Sequence, residues 1–217
     1  GLRKFAKRHF GEEGLTHVPA HTYAETSKEL WRRVDDMLET HSGLVVKRPD
    51  LEGGESMLCV GDTTELGDLR EWAQKYCDGT APVLIEEDLR IRPGVATVEC
   101  SLQWYLPPGG DPQKRFFSTQ DVTNNAHRGN GIANQSYDAL PTWIPEGVRI
   151  KMVRAAWKLT ERYIEIYRAR GYVGLIGFDF MIVANSDFPF SVVLLEVNVR
   201  KTAGTYLESL RWHVEQT

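Results

Sequence analysis

Apolar residues recur along the chain with two spacings, and these predict alternating helices and strands. Leu30, Val34 and Leu38 are four residues apart, as on one face of a helix. The segment from Thr26 to Glu29 has the form of a capping box, so we predict a helix that begins there and that Gly43 ends. Residues 121–142 show neither spacing and are predicted to be irregular. Similar patterns predict helices over 2–10, 66–76, 145–170 and 206–214, and strands over 44–47, 57–60, 82–86, 98–104, 114–120, 174–183 and 190–197.

This mixture indicates a chain of the α+β class, and the composition narrows its function. With 217 residues, 41% hydrophobic and 26% charged, the chain can bury a core, which excludes disordered and fibrous proteins. Its net charge of −4 argues against a nucleic-acid partner, and no apolar run is long enough for a membrane span. Three cysteines without a C-x-x-C pair favour a reducing compartment, so we expect a cytoplasmic protein.

Carboxylates interrupt the last two predicted strands. Asp179 lies in one of them, and Glu196 and Asn198 lie in the other. If the turn between the strands centres near Asp187, Asp179 lies opposite Glu196, and Asn198 shares a face with Glu196. Two carboxylates and an amide oxygen suit a hard cation such as Mg²⁺, whereas a solvated carboxylate pair at a sheet edge is the other interpretation.

A lysine and a glycine-containing loop lie between the predicted strands 44–47 and 57–60. Lys47 ends the first strand, and Gly53, Gly54 and Ser56 follow in the loop. Glycines let backbone N–H groups approach phosphate oxygens, and a lysine supplies compensating charge. The G-K-[ST] ending of a Walker A loop is absent, and an ordinary hairpin with glycines in its turn is the alternative interpretation.

The strand predicted over 82–86 runs directly into acidic residues. Glu86, Glu87 and Asp88 follow Val83-Leu84-Ile85, and Leu89 comes next. This pattern is compatible with a solvated strand end or with a hinge that offers backbone groups to a purine edge.

The order of these features resembles the ATP-grasp superfamily from about residue 2 to residue 206. Residues 14–19 resemble the G-x-P-x-P opening segment in weakened form, and residues 196–200 resemble the E-x-N-x-R ending. The resemblance implies two α+β subdomains that grip a nucleotide between them, without the usual preceding N-terminal domain. It implies a lid subdomain with the glycine loop over 1–88 and a subdomain with the metal site over 89–217. ATP and Mg²⁺ (or Mn²⁺) are the implied cofactors.

The resemblance also implies which residues bind the nucleotide. Lys47 matches the lysine that contacts the phosphates, and Glu86 matches the hinge acid near the adenine amino group. Glu99 stands in for the ribose-holding acid that the stretch 92–96 lacks. The full set of nucleotide-binding residues is Lys47, Gly53, Gly54, Ser56, Glu86, Glu87, Leu89 and Glu99, with Glu87 and Leu89 acting through backbone groups.

Further roles follow from the same resemblance. Arg200 and Lys47 match catalytic residues that stabilise the transferring phosphoryl group or an acyl phosphate, with a surface arginine as the other interpretation of Arg200. Lys4 or Lys7 matches an earlier phosphate-contacting lysine, and solvated lysines of a helix are the alternative interpretation. His127 and Arg128 lie where many members carry a second mobile loop, so substrate contacts and an ordinary solvent loop are both open for them. The implied metal ligands are Asp179, Glu196 and Asn198.

The implied function is that of an ATP-dependent ligase that joins a carboxylate to an amine through an acyl phosphate, most like amino-acid or peptide ligases. Gly177 stands where D-alanine–D-alanine ligases have an arginine, which argues against that subfamily. Carboxylase or carbamoyl-phosphate chemistry, a small-molecule kinase, and a non-catalytic nucleotide-binding module are the alternatives. We expect small-molecule carboxylate and amine partners and no membrane partner, and a homodimer is left open.

Overall fold

The structure is a computed structural model, and it describes residues 16–17, 19–51, 56–61, 66–123, 126–131, 136–185 and 188–199. These residues belong to two compact units, residues 19–96 and residues 1–18 with 97–217. The boundary predicted from the sequence, after residue 88, lies within the first of these ranges. None of the described helices is both long enough and apolar enough to cross a membrane.

The unit of residues 19–96 is a four-stranded sheet with two helices. Its strands are β2 (His21–Ala24), β3 (Gly43–Lys47), β4 (Met57–Gly61) and β5 (Val83–Glu87), in the order β2-β5-β3-β4, all antiparallel. The helices are α1 (Ser27–Leu38) and α2 (Leu66–Tyr76), and a short 3₁₀ helix spans Leu89–Ile91. Leu44, Val46 and Ile85 face the helices and form the core with their apolar residues.

The capping-box prediction for α1 is confirmed. The Glu29 backbone N–H donates to Thr26 Oγ1 at 3.2 Å, and the Glu25 N–H donates to Glu29 Oε2 at 3.1 Å. Together the two side chains pair two backbone donors at the start of the helix. The prediction that Gly43 ends this helix is wrong: α1 ends at Leu38, and Gly43 opens β3, where an added Cβ would collide with Ile91.

The second unit is a six-stranded sheet with one long helix. Its strands are β1 (Thr16–His17), β6 (Val95–Leu106, from residue 97 on), β7 (Gln113–Thr123), β8 (Ala126–Gly131), β9 (Gly174–Asn185) and β10 (Phe188–Asn198), in the order β1-β10-β9-β6-β7-β8. Helix α3 spans Glu146–Ala169, and a 3₁₀ helix spans Ser136–Ala139. Gly171, with φ 76°, follows α3 in the conformation that a helix C-terminus commonly requires.

The core of this unit lies between α3 and one face of the sheet. Met152, Ala156 and Tyr163 of α3 belong to the same buried cluster as Phe178 and Phe180 of β9. The alternation predicted from residue 98 onward is confirmed, because Cys100, Leu102 and Trp104 all lie in this cluster. The residues between them therefore face the other side of the sheet.

The prediction that residues 121–142 are irregular is wrong. They include the end of β7, strand β8 and the 3₁₀ helix Ser136–Ala139. Strand β8 has the sequence Ala-His-Arg-Gly-Asn-Gly, which carries no apolar alternation. It is the edge strand of the sheet and forms by backbone pairing with β7, which hydrophobic periodicity does not report.

Candidate functional site

The face of the six-stranded sheet that α3 does not cover carries a set of polar side chains. On β6, Glu99, Ser101 and Gln103 alternate with the core residues. Ser101 lies directly opposite Ser118 of β7, so Gln120, two residues further, shares their face. We call this set the polar face; its members are Glu99, Ser101, Gln103, Ser118, Gln120, Asp179, Glu196 and Asn198.

Strands β9 and β10 pair in the register that the sequence predicts for the two carboxylates. Glu196 lies opposite Asp179, and Asn198 lies opposite Gly177. The register is not continuous along the hairpin: Leu194 pairs with Phe180, so Leu195 is an extra residue, a β-bulge. Both Asp179 and Glu196 therefore stand next to a local bend of the sheet, and bulges are frequent next to active sites.

Neutral polar side chains of three other strands lie around the carboxylate of Asp179. Asn198 Nδ2 donates to its Oδ2 at 2.7 Å, and Gln120 Nε2 donates to its Oδ1 at 3.2 Å. Ser101, on β6, is the third of these side chains, and its hydroxyl lowers the pKa of the carboxylate. Burial raises the pKa of Asp179 to about 6; the Ser101 and Gln120 hydrogen bonds lower it, and the charges of Glu196 and Glu99 raise it further.

The donor set suits a hard divalent cation. In the part of the chain that the structure describes, no three His, Cys, Asp or Glu side chains converge to hold a metal by themselves. Asp179 and Glu196 bring two carboxylates together, and Asn198 adds an amide. Of the described basic residues, none forms an ion pair with either carboxylate; burial, and after it the charge of Glu196, raises the pKa of Asp179. Oxygen donors with surplus negative charge fit Mg²⁺ or Mn²⁺.

The four-stranded sheet also has a face turned away from its helices, and Lys47 and Glu86 lie on it. Glu86 pairs in register with Val45, so Lys47, two residues on, is its diagonal neighbour on the same face. Lys47 Nζ lies 2.5 Å from Glu86 Oε2, and the Glu86 side chain is only 4% exposed. The sequence thus places a lysine beside a buried carboxylate that balances its charge.

The end of β5 is held by backbone and side-chain contacts. The Glu87 N–H donates to the Ala20 carbonyl at 2.8 Å, so this donor is already used. The Glu87 carboxylate lies 3.6 Å from His41 Nδ1 and 3.4 Å from Arg92 Nε. Leu89 is buried in the 3₁₀ helix that follows. Among the described residues, the end of β5 is therefore held by hydrogen bonds and ion pairs rather than freely solvated.

Arg48, which the sequence analysis did not single out, is buried at the base of the glycine loop and forms several hydrogen bonds there. It is 5% exposed and forms two hydrogen bonds of 2.8 Å with the Asp50 carboxylate. It also donates to the Tyr76 carbonyl, at the end of α2, and to Asp78 and Thr80. The Arg48 guanidinium holds the pKa of Asp50 below its usual range. The Arg48 N–H also donates to the carbonyl of Ser56, a buried residue, so both ends of the loop meet here.

Several residues singled out from the sequence lie outside the described residues: Lys4, Lys7, Gly53, Gly54 and Arg200. His127 and Arg128 lie in β8, at the sheet edge, rather than in a loop. Glu99 lies on the polar face, where its charge acts on Asp179.

The alternation of side chains along the strands could have identified two of the residues that sequence reasoning missed. Arg48 continues the alternation of Leu44 and Val46 and so points toward the helices, where the carbonyl groups at the C-terminus of α2 attract a cation. Gln103 continues the alternation of Glu99 and Ser101 on β6. Gln120 could be found only with the β6–β7 register, which the sequence does not specify.

Comparison with known proteins identifies the fold of the chain. No protein-family model matches the chain, and no curated protein matches it. Among solved structures, it is similar to N5-carboxyaminoimidazole synthetase from Staphylococcus aureus complexed with ADP (TM-score 0.57, 15% identity, 93% of this chain and 45% of that one). It is also similar to the biotin carboxylase domain of Hydrogenobacter thermophilus 2-oxoglutarate carboxylase with MgADP and bicarbonate (0.60, 14%, 96% and 41%).

A third similar structure is D-alanyl-alanine synthetase A from Vibrio cholerae (TM-score 0.53, 13% identity, 89% of this chain and 55% of that one). The chain thus spans about half the length of these proteins or less. At these identities the likeness shows the fold alone, and that fold is the ATP-grasp fold.

Proposed function

We propose that the chain is the nucleotide- and metal-binding part of an ATP-dependent ligase that joins a carboxylate to an amine. The observation that carries this proposal is the pairing of Asp179 with Glu196 beside Asn198, on the face opposite α3 of a sheet with the ATP-grasp fold. The three side chains would hold Mg²⁺ or Mn²⁺. The bound ion would offset negative charge on the nucleotide phosphates.

Lys47 is proposed to contact a phosphate of ATP. Its pairing with Glu86 limits the rotamers of the lysine side chain, so less order has to be gained on binding. At the end of β5, the Glu87 N–H is engaged with Ala20. The Glu87 carbonyl and the Leu89 backbone are proposed to contact the adenine edge. Ser56, with Gly53 and Gly54, is proposed to cover the phosphates.

The proposed reaction has two steps. A substrate carboxylate oxygen attacks the γ-phosphorus, the bond to the β–γ bridging oxygen breaks, and ADP leaves. An amine nitrogen then attacks the acyl carbon of the acyl phosphate, phosphate leaves, and the nitrogen loses a proton. Side chains contribute mainly by positioning these groups and offsetting charge, and Arg200 and Lys47 are proposed to stabilise the transferred phosphoryl group. Glu99 is proposed to contact the ribose.

Carboxylation is the second candidate. The fold neighbours that favour it are N5-carboxyaminoimidazole synthetase and a biotin carboxylase domain, whose structure holds bicarbonate. In that chemistry bicarbonate takes the place of the substrate carboxylate, and the same residues would stabilise the transferred phosphoryl group.

The test combines nucleotide binding with a substrate screen. We expect Mn²⁺-dependent binding of ADP by calorimetry, and release of phosphate from ATP only when an acid and an amine are both present. Glu196→Gln should weaken Mn²⁺–ADP binding at least tenfold, because a metal ligand is neutralised. Glu165→Gln is the matched control, since Glu165 is exposed on α3.

Three outcomes separate the possibilities. Phosphate release with bicarbonate and an amine, but not with other acids, would favour carboxylation. Binding without turnover under any pairing would favour a nucleotide-binding module. Equal Mn²⁺–ADP affinity in the wild type and Glu196→Gln would refute the metal assignment.

A further inference from the structure

Neutral polar side chains are buried on the polar face beside Asp179. Ser101, Gln103 and Ser118 are between 0 and 2% exposed, although none of them carries a charge that the proposed chemistry would use. Burying neutral polar groups is unfavourable unless they are hydrogen-bonded, so their contacts indicate what they do.

The contacts form a directed chain that ends on Asp179. Gln103 Nε2 donates to Ser101 Oγ at 3.2 Å. Because the Ser101 oxygen accepts this bond, its own hydroxyl proton is left to turn toward the Asp179 carboxylate, whose pKa Ser101 lowers. Gln120 Nε2 donates to the same carboxylate at 3.2 Å, from β7.

One end of this chain destabilises the fold. Gln103 Oε1 is buried and has no hydrogen-bond partner among the described residues. An acceptor left unpaired in the interior is unfavourable, and an unbranched apolar side chain such as Met would remove that penalty at similar volume. Stability alone therefore does not account for a glutamine at position 103.

We propose that Gln103, through Ser101, and Gln120 are positioning residues that fix the carboxylate of Asp179 for a divalent cation. The inference rests on the proposed metal site. A carboxylate has about four acceptor positions; the bonds from Gln120 and Asn198 occupy two of them, and the Ser101 hydroxyl is available for a third. The carboxylate plane is thereby fixed, and one acceptor position is left for the cation. Hydrogen bonds to metal-binding carboxylates commonly tune affinity in this way.

The experiment compares Gln103→Met, Gln120→Met and a matched control, Gln113→Met, whose side chain is exposed on β7. Binding of Mn²⁺ in the presence of ADP is followed by electron paramagnetic resonance, and urea unfolding is measured without metal. We expect Gln103→Met to raise the urea midpoint and to raise the Mn²⁺ Kd about tenfold. Gln120→Met should raise the Kd by a similar factor, and Gln113→Met should change neither quantity.

The opposite signs for Gln103→Met separate a positioning role from a structural one. A side chain retained for stability would lower the urea midpoint when replaced, and that result would overturn the inference for Gln103. An unchanged Mn²⁺ Kd in both variants, with a wild type that binds Mn²⁺, would overturn the inference while leaving the metal site intact. A wild type that takes up no Mn²⁺ would overturn the metal assignment and the inference together.

Discussion

Replacing Arg48 by Met should destabilise the unit of residues 19–96 by about 3 kcal/mol. Arg48 is 5% exposed and makes five hydrogen bonds, to Asp50, Tyr76, Asp78 and Thr80. Removing one partner of a buried ion pair commonly costs about 3–5 kcal/mol. Asp50 and Asp78 are 45% and 48% exposed, so water rehydrates their carboxylates, and the loss falls at the lower end of that range.

The assay is urea unfolding together with hydrogen exchange read by mass spectrometry on peptides that cover residues 43–87. Arg32→Met is the matched control: Arg32 on α1 is 61% exposed and lies 3.9 Å from Glu29. An exposed pair of this kind contributes at most about 1 kcal/mol. Arg48→Lys should recover only part of the loss, because Lys lacks the planar fork that meets Asp50. The reasoning would be refuted if Arg48→Met and Arg32→Met lost the same stability to within about 0.5 kcal/mol, a margin typical of surface substitutions.

Two further substitutions test the second unit. The buried Nε1–H of Trp104 donates to Thr160 Oγ1 at 2.8 Å. Thr160→Val should lower the free energy of unfolding by about 1–3 kcal/mol, because it leaves this donor without an acceptor. Thr160→Ser should retain most of the stability in the same thermal or urea melts. In metal-free protein, Asp179→Asn should gain stability relative to the wild type as pH rises from 4 to 7, by at most about 3 kcal/mol. The pKa of Asp179 is raised from 3.8 to about 6 in the folded state, so the stabilising contribution of its protonated form is complete below pH 3.8 and is lost as pH rises through 6. A pH-independent difference between the two proteins would contradict this.

Much of the fold was predictable because periodicity reports which face of an element is buried. The stripe of Leu30 and Val34 and the alternation around Cys100 and Leu102 each mark a face that is buried in the structure. Strand β8 could not be found in this way, since an edge strand is defined by backbone pairing and its sequence has no apolar alternation.

The candidate site was predictable only where charge interrupts an apolar strand. Asp179 and Glu196 stand out for that reason, and their pairing follows from the hairpin. Gln103 and Gln120 are ordinary strand residues in the sequence, and the contact of Gln120 with Asp179 depends on the register of strands far apart in the chain. Such registers are set by tertiary packing rather than by local pattern.

The bulge at Leu195 gives strand β10 one residue more than regular pairing with β9 requires. The residues before it, Val192, Val193 and Leu194, are apolar, as is Leu195 itself, so each can occupy either face of the sheet without placing a charge in the core. Loss of any one residue in this run could therefore be absorbed by straightening the strand, with Glu196 still opposite Asp179. Strand β10 can thus lose one residue directly before Glu196 and keep its pairing with β9. A one-residue deletion, which in a regular strand would invert every following side chain, would here leave the pair intact.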